Sequence, residues 1–78
     1  MPNQEDIAQQ QELLAAYRRT LAQYLKQQAL ISELFTPPAI AHGIEDARVN
    51  IRRVKGNLAA WGVPVEDLPD DQEPATAP

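Results

Sequence analysis

The sequence predicts an all-α fold, an antiparallel hairpin of two helices, and three observations carry the prediction. Residues 4–34 contain neither glycine nor proline. The pair Pro37-Pro38 interrupts the chain near its middle. From Ile40 to Trp61, apolar residues recur at helical spacing without a slip.

The first helix is expected over residues 4–34, a segment filled with Ala, Leu, Gln, Glu, Lys and Arg, all good helix formers. Ile7, Leu14, Leu21, Gln28 and Phe35 recur every seven residues, with Gln10, Tyr17, Tyr24 and Ile31 three residues after each of the first four. Leu13, Leu25, Leu30 and Leu34 flank this seam and widen the apolar stripe beyond what a two-stranded coiled coil needs. A helix with so broad a stripe has more than one neighbour to satisfy.

A turn is expected at 35–37. Thr36 can cap the second helix through its hydroxyl, and a proline in a first turn lacks only an N–H that would be unpaired anyway. The second helix is expected over 37–61, where Ile40, Ile44, Ala47, Ile51, Val54, Leu58 and Trp61 follow the spacing 4, 3, 4, 3, 4, 3. Gly62 then supplies a left-handed residue, Val63 can fold back onto Leu58 in a Schellman ending, and Pro64 prevents continuation. So short a connection makes the helices antiparallel.

The charge divides the chain at Val65. Residues 1–65 carry seven Lys/Arg against six Asp/Glu, whereas residues 66–78 carry five acids, no base and three prolines. The first part reads as the helical hairpin domain. The second reads as an acidic, proline-rich disordered tail or linker, dispensable for folding, because it holds no periodic apolar set.

With 78 residues and no cysteine, one hairpin buries a thin core and cannot be stapled by disulfides. A second copy is therefore expected to complete a helical bundle, a dimer being the first choice of stoichiometry. The seam expected to serve as core and contact surface packs Leu14, Tyr17, Leu21, Tyr24 and Ile31 on Ile44, Ile51, Val54, Leu58 and Trp61.

Chemistry finds little to work with. The one histidine, His42, falls on the outer face of the second helix, and neither a second histidine nor a cysteine exists to share a metal or activate a nucleophile. The carboxylate pairs Glu5-Asp6 and Glu45-Asp46 fall in or near opening helical turns, where the macrodipole favours negative charge. No catalytic residue, metal site or cofactor is expected. Gly43 and Gly56 interrupt the second helix, which suggests either a close approach by another backbone or a tolerated surface glycine.

Arg48, Arg52, Arg53 and Lys55 form a basic cluster, but their spacing spreads the charge around the helix instead of focusing it into a stripe that could track a phosphate backbone. The pattern argues against nucleic acid and suits a solvated surface or charged contacts to a protein partner. No run of 18 apolar residues is present and the opening residues are polar and acidic, so no membrane span or secretion leader is expected, and the cytoplasm is the expected location.

Tyr17-Arg18-Arg19-Thr20-Leu21, Thr36-Pro37-Pro38 with Ile40-Ala41-His42-Gly43-Ile44, Ile51-Arg52-Arg53-Val54-Lys55, Trp61-Gly62-Val63 and Val65-Glu66-Asp67-Leu68-Pro69-Asp70-Asp71 carry a further signal. Across residues 13–71 the chain resembles the effector-associated or death-like adaptor domains found at the N-termini of large bacterial conflict and cell-death proteins. The resemblance implies an adaptor fused ahead of an NTPase of the NACHT type, a caspase-like protease, a TIR domain or a repeat array. It implies like-with-like contact and no catalytic residue in this region.

Overall fold

The computed structural model describes residues 2–31 and 36–72. It contains two helices, α1 (Gln4–Ile31) and α2 (Pro38–Ala60), followed by a single 3-10 turn, Pro69–Asp71. The two helices pack side by side as a hairpin, as the sequence predicts.

Local chemistry explains each boundary. Asn3 opens α1: its side-chain oxygen accepts from the Asp6 N–H at 2.8 Å, and the Asp6 carboxylate accepts from the Asn3 N–H at 3.2 Å, a reciprocal box that satisfies two donors. The first-turn acids Glu5 and Asp6 complement the helix dipole. The described part of α1 ends at Ile31, and the expected continuation to residue 34, with Leu34 and Phe35, lies outside the described residues.

α2 departs from expectation at its start. Pro37 occupies the N-cap position and no side chain caps the helix. The Thr36 hydroxyl, expected to cap, instead accepts from Gln28 Nε2 of α1 at 3.2 Å. The reason lies in the prolines. Pro37 and Pro38 have no N–H to satisfy, and the Pro37 carbonyl accepts from Ile40 and Ala41 at 3.0 and 3.1 Å.

The end of α2 is the predicted Schellman motif. The Val63 N–H donates to the Leu58 carbonyl at 2.9 Å and the Gly62 N–H to that of Ala59 at 3.0 Å, with Gly62 at φ 76°.

The core is a continuous cluster of Leu14 and Leu21 from α1 with Ile40, Ile44, Ala47, Ile51, Val54 and Leu58 from α2. Leu21, Ile51, Val54 and Leu58 are fully enclosed. Ile7, Leu13, Tyr17, Tyr24, Leu25 and Trp61 pack around them, half-buried. At a central value of about 25 cal/mol per Å² of apolar surface removed from water, these side chains supply the main drive to fold.

A third element packs on the hairpin. After Gly62, residues 63–72 run back across the hairpin as a strap, with Val63 and Val65 packed against the core. The expectation that the domain stops at Val65 is thus corrected for residues 66–72. This stretch is held not by apolar periodicity but by charge. Residues 73–78, the remainder of the expected tail, lie outside the described residues.

Candidate functional site

The strap sits in a groove lined with cations from both helices. Arg18 projects from α1 and Lys55 from α2, and Asp71 lies between them. Arg18 meets the Asp71 carboxylate at two points, Nε to Oδ1 at 3.0 Å and a terminal nitrogen to Oδ2 at 2.6 Å. The same guanidinium donates to the Glu66 carbonyl at 2.6 Å. Lys55 donates to Asp71 Oδ2 at 3.2 Å and also pairs with Asp67. Nearer the turn, Arg48 Nε donates to the Asp70 carbonyl at 3.1 Å.

The strap's own backbone presents Asp71 to these cations. Pro69 starts the 3-10 turn with a preset φ, and the Asp71 N–H closes the turn on the Leu68 carbonyl at 3.1 Å. The Leu68 N–H returns a hydrogen bond to Asp71 Oδ2 at 3.1 Å. The carboxylate therefore accepts from a guanidinium, an ammonium and a backbone amide, and Asp71 is only 5% exposed, the one buried charged residue among those described. A buried charge so fully paired is stable, whereas removing one partner would strand the others.

Burial is the largest single influence on the Asp71 carboxyl and pushes it upward. The hydrogen bonds from Arg18, the Leu68 amide and Lys55, with the Arg18 charge, outweigh it and hold the group below its ordinary value. Lys55 behaves reciprocally. Burial pulls its ammonium down, but the hydrogen bonds and charges of Asp67 and Asp71 raise it above its ordinary value.

The arrangement is suited to holding a segment in place. His42 is exposed on α2, away from the core. Among the described residues no group of three His, Cys, Asp or Glu side chains is placed to hold a metal ion, and no helix is long and apolar enough to cross a membrane.

The predicted seam residues divide into two sets. Leu14, Leu21, Ile44, Ile51, Val54 and Leu58 are buried within the single chain, and Tyr17, Tyr24 and Trp61 are half-buried against them. They form an internal core, so the seam is not left free as a contact surface. Ile31 does not join it: it is 52% exposed, beside Leu30 at 76%.

The basic cluster divides likewise. Arg48 and Lys55, seven residues apart and thus on one face of α2, engage the strap, while Arg52 and Arg53 are exposed. Sequence reasoning missed Arg18 and Asp71. Arg18 lies beside a seam tyrosine on a helix full of polar residues, and Asp71 is one acid among several in a segment without period. The signal that was present is local: Leu68-Pro69-Asp70-Asp71 places a proline at the start of a turn and a carboxylate three residues after the amide it caps.

Around this site the outer surface offers a shallow hollow between α2 and the strap, bordered by Glu45, Arg48, Val49, Arg52 and Asp67. Val49 stands 48% exposed there among charges. No protein-family model, curated protein or solved structure matches the chain.

Proposed function

We propose that this chain is a protein-interaction module that associates with copies of itself, or with closely similar hairpins, and so brings attached domains together. The observation that carries the reading is the adjacent exposed pair Leu30 and Ile31 at the C-terminal end of α1. A single exposed aliphatic side chain is ordinary, but two large ones in succession, outside the face that α1 buries, are apolar surface that a partner can cover. The hairpin already encloses its seam, so association falls to this end of the molecule and to the strap side, where Val49 and Leu68 are also exposed.

The resemblance to effector-associated and death-like adaptor domains supports the same reading and gives it a setting. The module would sit beside a sensor or effector in a bacterial conflict or cell-death protein of the cytoplasm and act through like-with-like contact. The disposition of the bases favours protein over nucleic acid as the partner. Arg18, Arg48 and Lys55 are occupied by the strap, which leaves Arg52 and Arg53 without a charged stripe around them.

The test is co-capture of two differently tagged copies expressed together. The reading expects the second tag to follow the first, and the double substitution Leu30→Glu/Ile31→Glu to abolish this while circular dichroism stays unchanged. Failure of the unmodified copies to co-purify at high micromolar concentration would contradict it.

A further inference from the structure

The strap is recognised through contacts that do not depend on its attachment to the same chain. Arg18 and Asp71 lie 53 residues apart in sequence, and Arg18 and the Glu66 carbonyl 48. Each contact joins a helix side chain to the strap. The strap's apolar share is small, since Val63 and Val65 are only partly buried and Leu68 is exposed. The fully enclosed residues Leu21, Ile51, Val54 and Leu58 belong instead to α1 and α2. A segment held by charge, over a core built by other elements, can leave and return without rebuilding that core.

The connection has the freedom such a departure needs. Gly62 holds φ 76° with open space where a Cβ would stand. Glycine exchanges this conformation for others at little steric cost. Pro64 keeps Val63, the residue next to this hinge, in the extended region.

We propose that the groove bounded by Arg18, Arg48 and Lys55 is a docking site for residues 65–71 of a second copy, so that two chains exchange straps reciprocally. This rests on the reading of the chain as a self-associating module and adds a strap contact to the one made at Leu30 and Ile31. Charge complementarity selects the occupant. The groove presents cations from both helices, and the segment that fills it carries Asp67 and Asp71 at matching positions. The exchanged dimer keeps every contact of the closed chain, so the balance is set by association entropy against newly covered surface. Val49 beside the groove and Leu68 on the strap are exposed apolar side chains that a second copy can cover. A tethered strap acts at an effective concentration of about millimolar, so the exchanged fraction rises with chain concentration.

The test uses the full chain, which has no cysteine of its own. Ala15→Cys on α1 and Glu66→Cys on the strap are made as separate variants. Both positions are exposed and border one hollow, and neither side chain belongs to the ion pairs. Mixed in equal amounts at high micromolar concentration and mildly oxidised, they should give the mixed disulfide in several-fold excess over the same-variant disulfides. Independent chains give the statistical mixture. As a second measurement, Asp71→Arg and Arg18→Asp chains are combined. Exchange pairs the altered strap with the altered groove and the natural strap with the natural groove, so the mixture should yield a species of twice 8.7 kDa containing one chain of each kind. Exchange is overturned if both mixtures behave as independent chains. If the unmodified chain nevertheless gains mass with concentration, association through another surface stands without exchange. If it stays at 8.7 kDa, both readings fall.

Discussion

The ring of Tyr24 lies against the backbone of Gly43: a Cβ added at Gly43 would come within 2.5 Å of the Tyr24 ring carbon that bears the hydroxyl. The glycine lets α1 and α2 approach closely at this level, with a tyrosine laid flat across the gap. Gly56, on the same helix, has open space at the corresponding point. The two helix glycines, indistinguishable by composition, thus have different physical roles.

Substituting each with alanine should give opposite signs. Gly56→Ala gains helix propensity of up to ~1 kcal/mol and should raise the melting temperature by several degrees. Gly43→Ala makes the same gain but forces the Tyr24 ring aside, and overpacking costs about 1–3 kcal/mol. It should lower the melting temperature, and Gly43→Ala with Tyr24→Leu should recover part of the loss. Thermal melts followed by circular dichroism decide the matter, and equal stabilisation by both alanines would remove the close-approach argument.

Acid should weaken the strap through Asp71. Its carboxyl titrates below the ordinary 3.8 when folded, so between the two values the unfolded chain binds a proton that the folded chain refuses. The contribution is fully present above pH 3.8 and is lost as pH falls through the folded value. At the alkaline end the sign reverses: Lys55, raised above 10.5, contributes fully below pH 10.5 and loses its contribution as pH climbs through the folded value. Asp71→Asn should therefore melt below the parent at pH 7, with the gap closing as pH drops below 3.8. A gap independent of pH would mean that Asp71 acts by shape alone.

Much of the hairpin was legible because helices announce themselves by period. The unbroken 4, 3 spacing from Ile40 to Trp61 marks a buried face, and Gly62-Val63-Pro64 spells its ending in residues whose backbone preferences are narrow. The strap was not legible, because an irregular segment held by hydrogen bonds to side chains on two helices has no period to read. Composition alone assigned residues 66–72 to a solvated tail, and only the positions of Arg18 and Lys55 in space give Asp71 its partners. Thr36 illustrates the same limit on a smaller scale. Its hydroxyl could cap α2 by local rules, but those rules do not foresee Gln28 arriving from the neighbouring helix. The candidate association surface was only partly legible, since heptad counting placed Ile31 inside the seam that the structure leaves it outside.

Truncation after Val65 should destabilise the hairpin, because it removes the Asp71 carboxylate and the backbone acceptors that Arg18 and Arg48 use. Hydrogen bonds to charged groups contribute about 1.5–3 kcal/mol each at most, reduced here because the freed cations regain water. A fall of roughly 10 °C in melting temperature is expected for a domain of this size. Truncation after Gln72, which spares these contacts, should leave the melt within a degree or two. Equal melts for the two truncations would show that the strap contributes no stability.

Leu58 is fully enclosed, and Leu58→Ala should cost about 2–5 kcal/mol, enough to unfold much of the population at 37 °C. Arg53→Ala, at an exposed position on the same helix, should change stability by less than about 0.5 kcal/mol. Chemical denaturation of both variants against the parent checks the ordering.

Association through surface left outside the core is read without intermediaries by sedimentation equilibrium over a low- to high-micromolar range. The weight-average mass of the unmodified chain should rise above 8.7 kDa with concentration, while Leu30→Glu/Ile31→Glu, with the same helical signal, should stay closer to 8.7 kDa. A mass fixed at 8.7 kDa for the unmodified chain throughout that range would contradict the account.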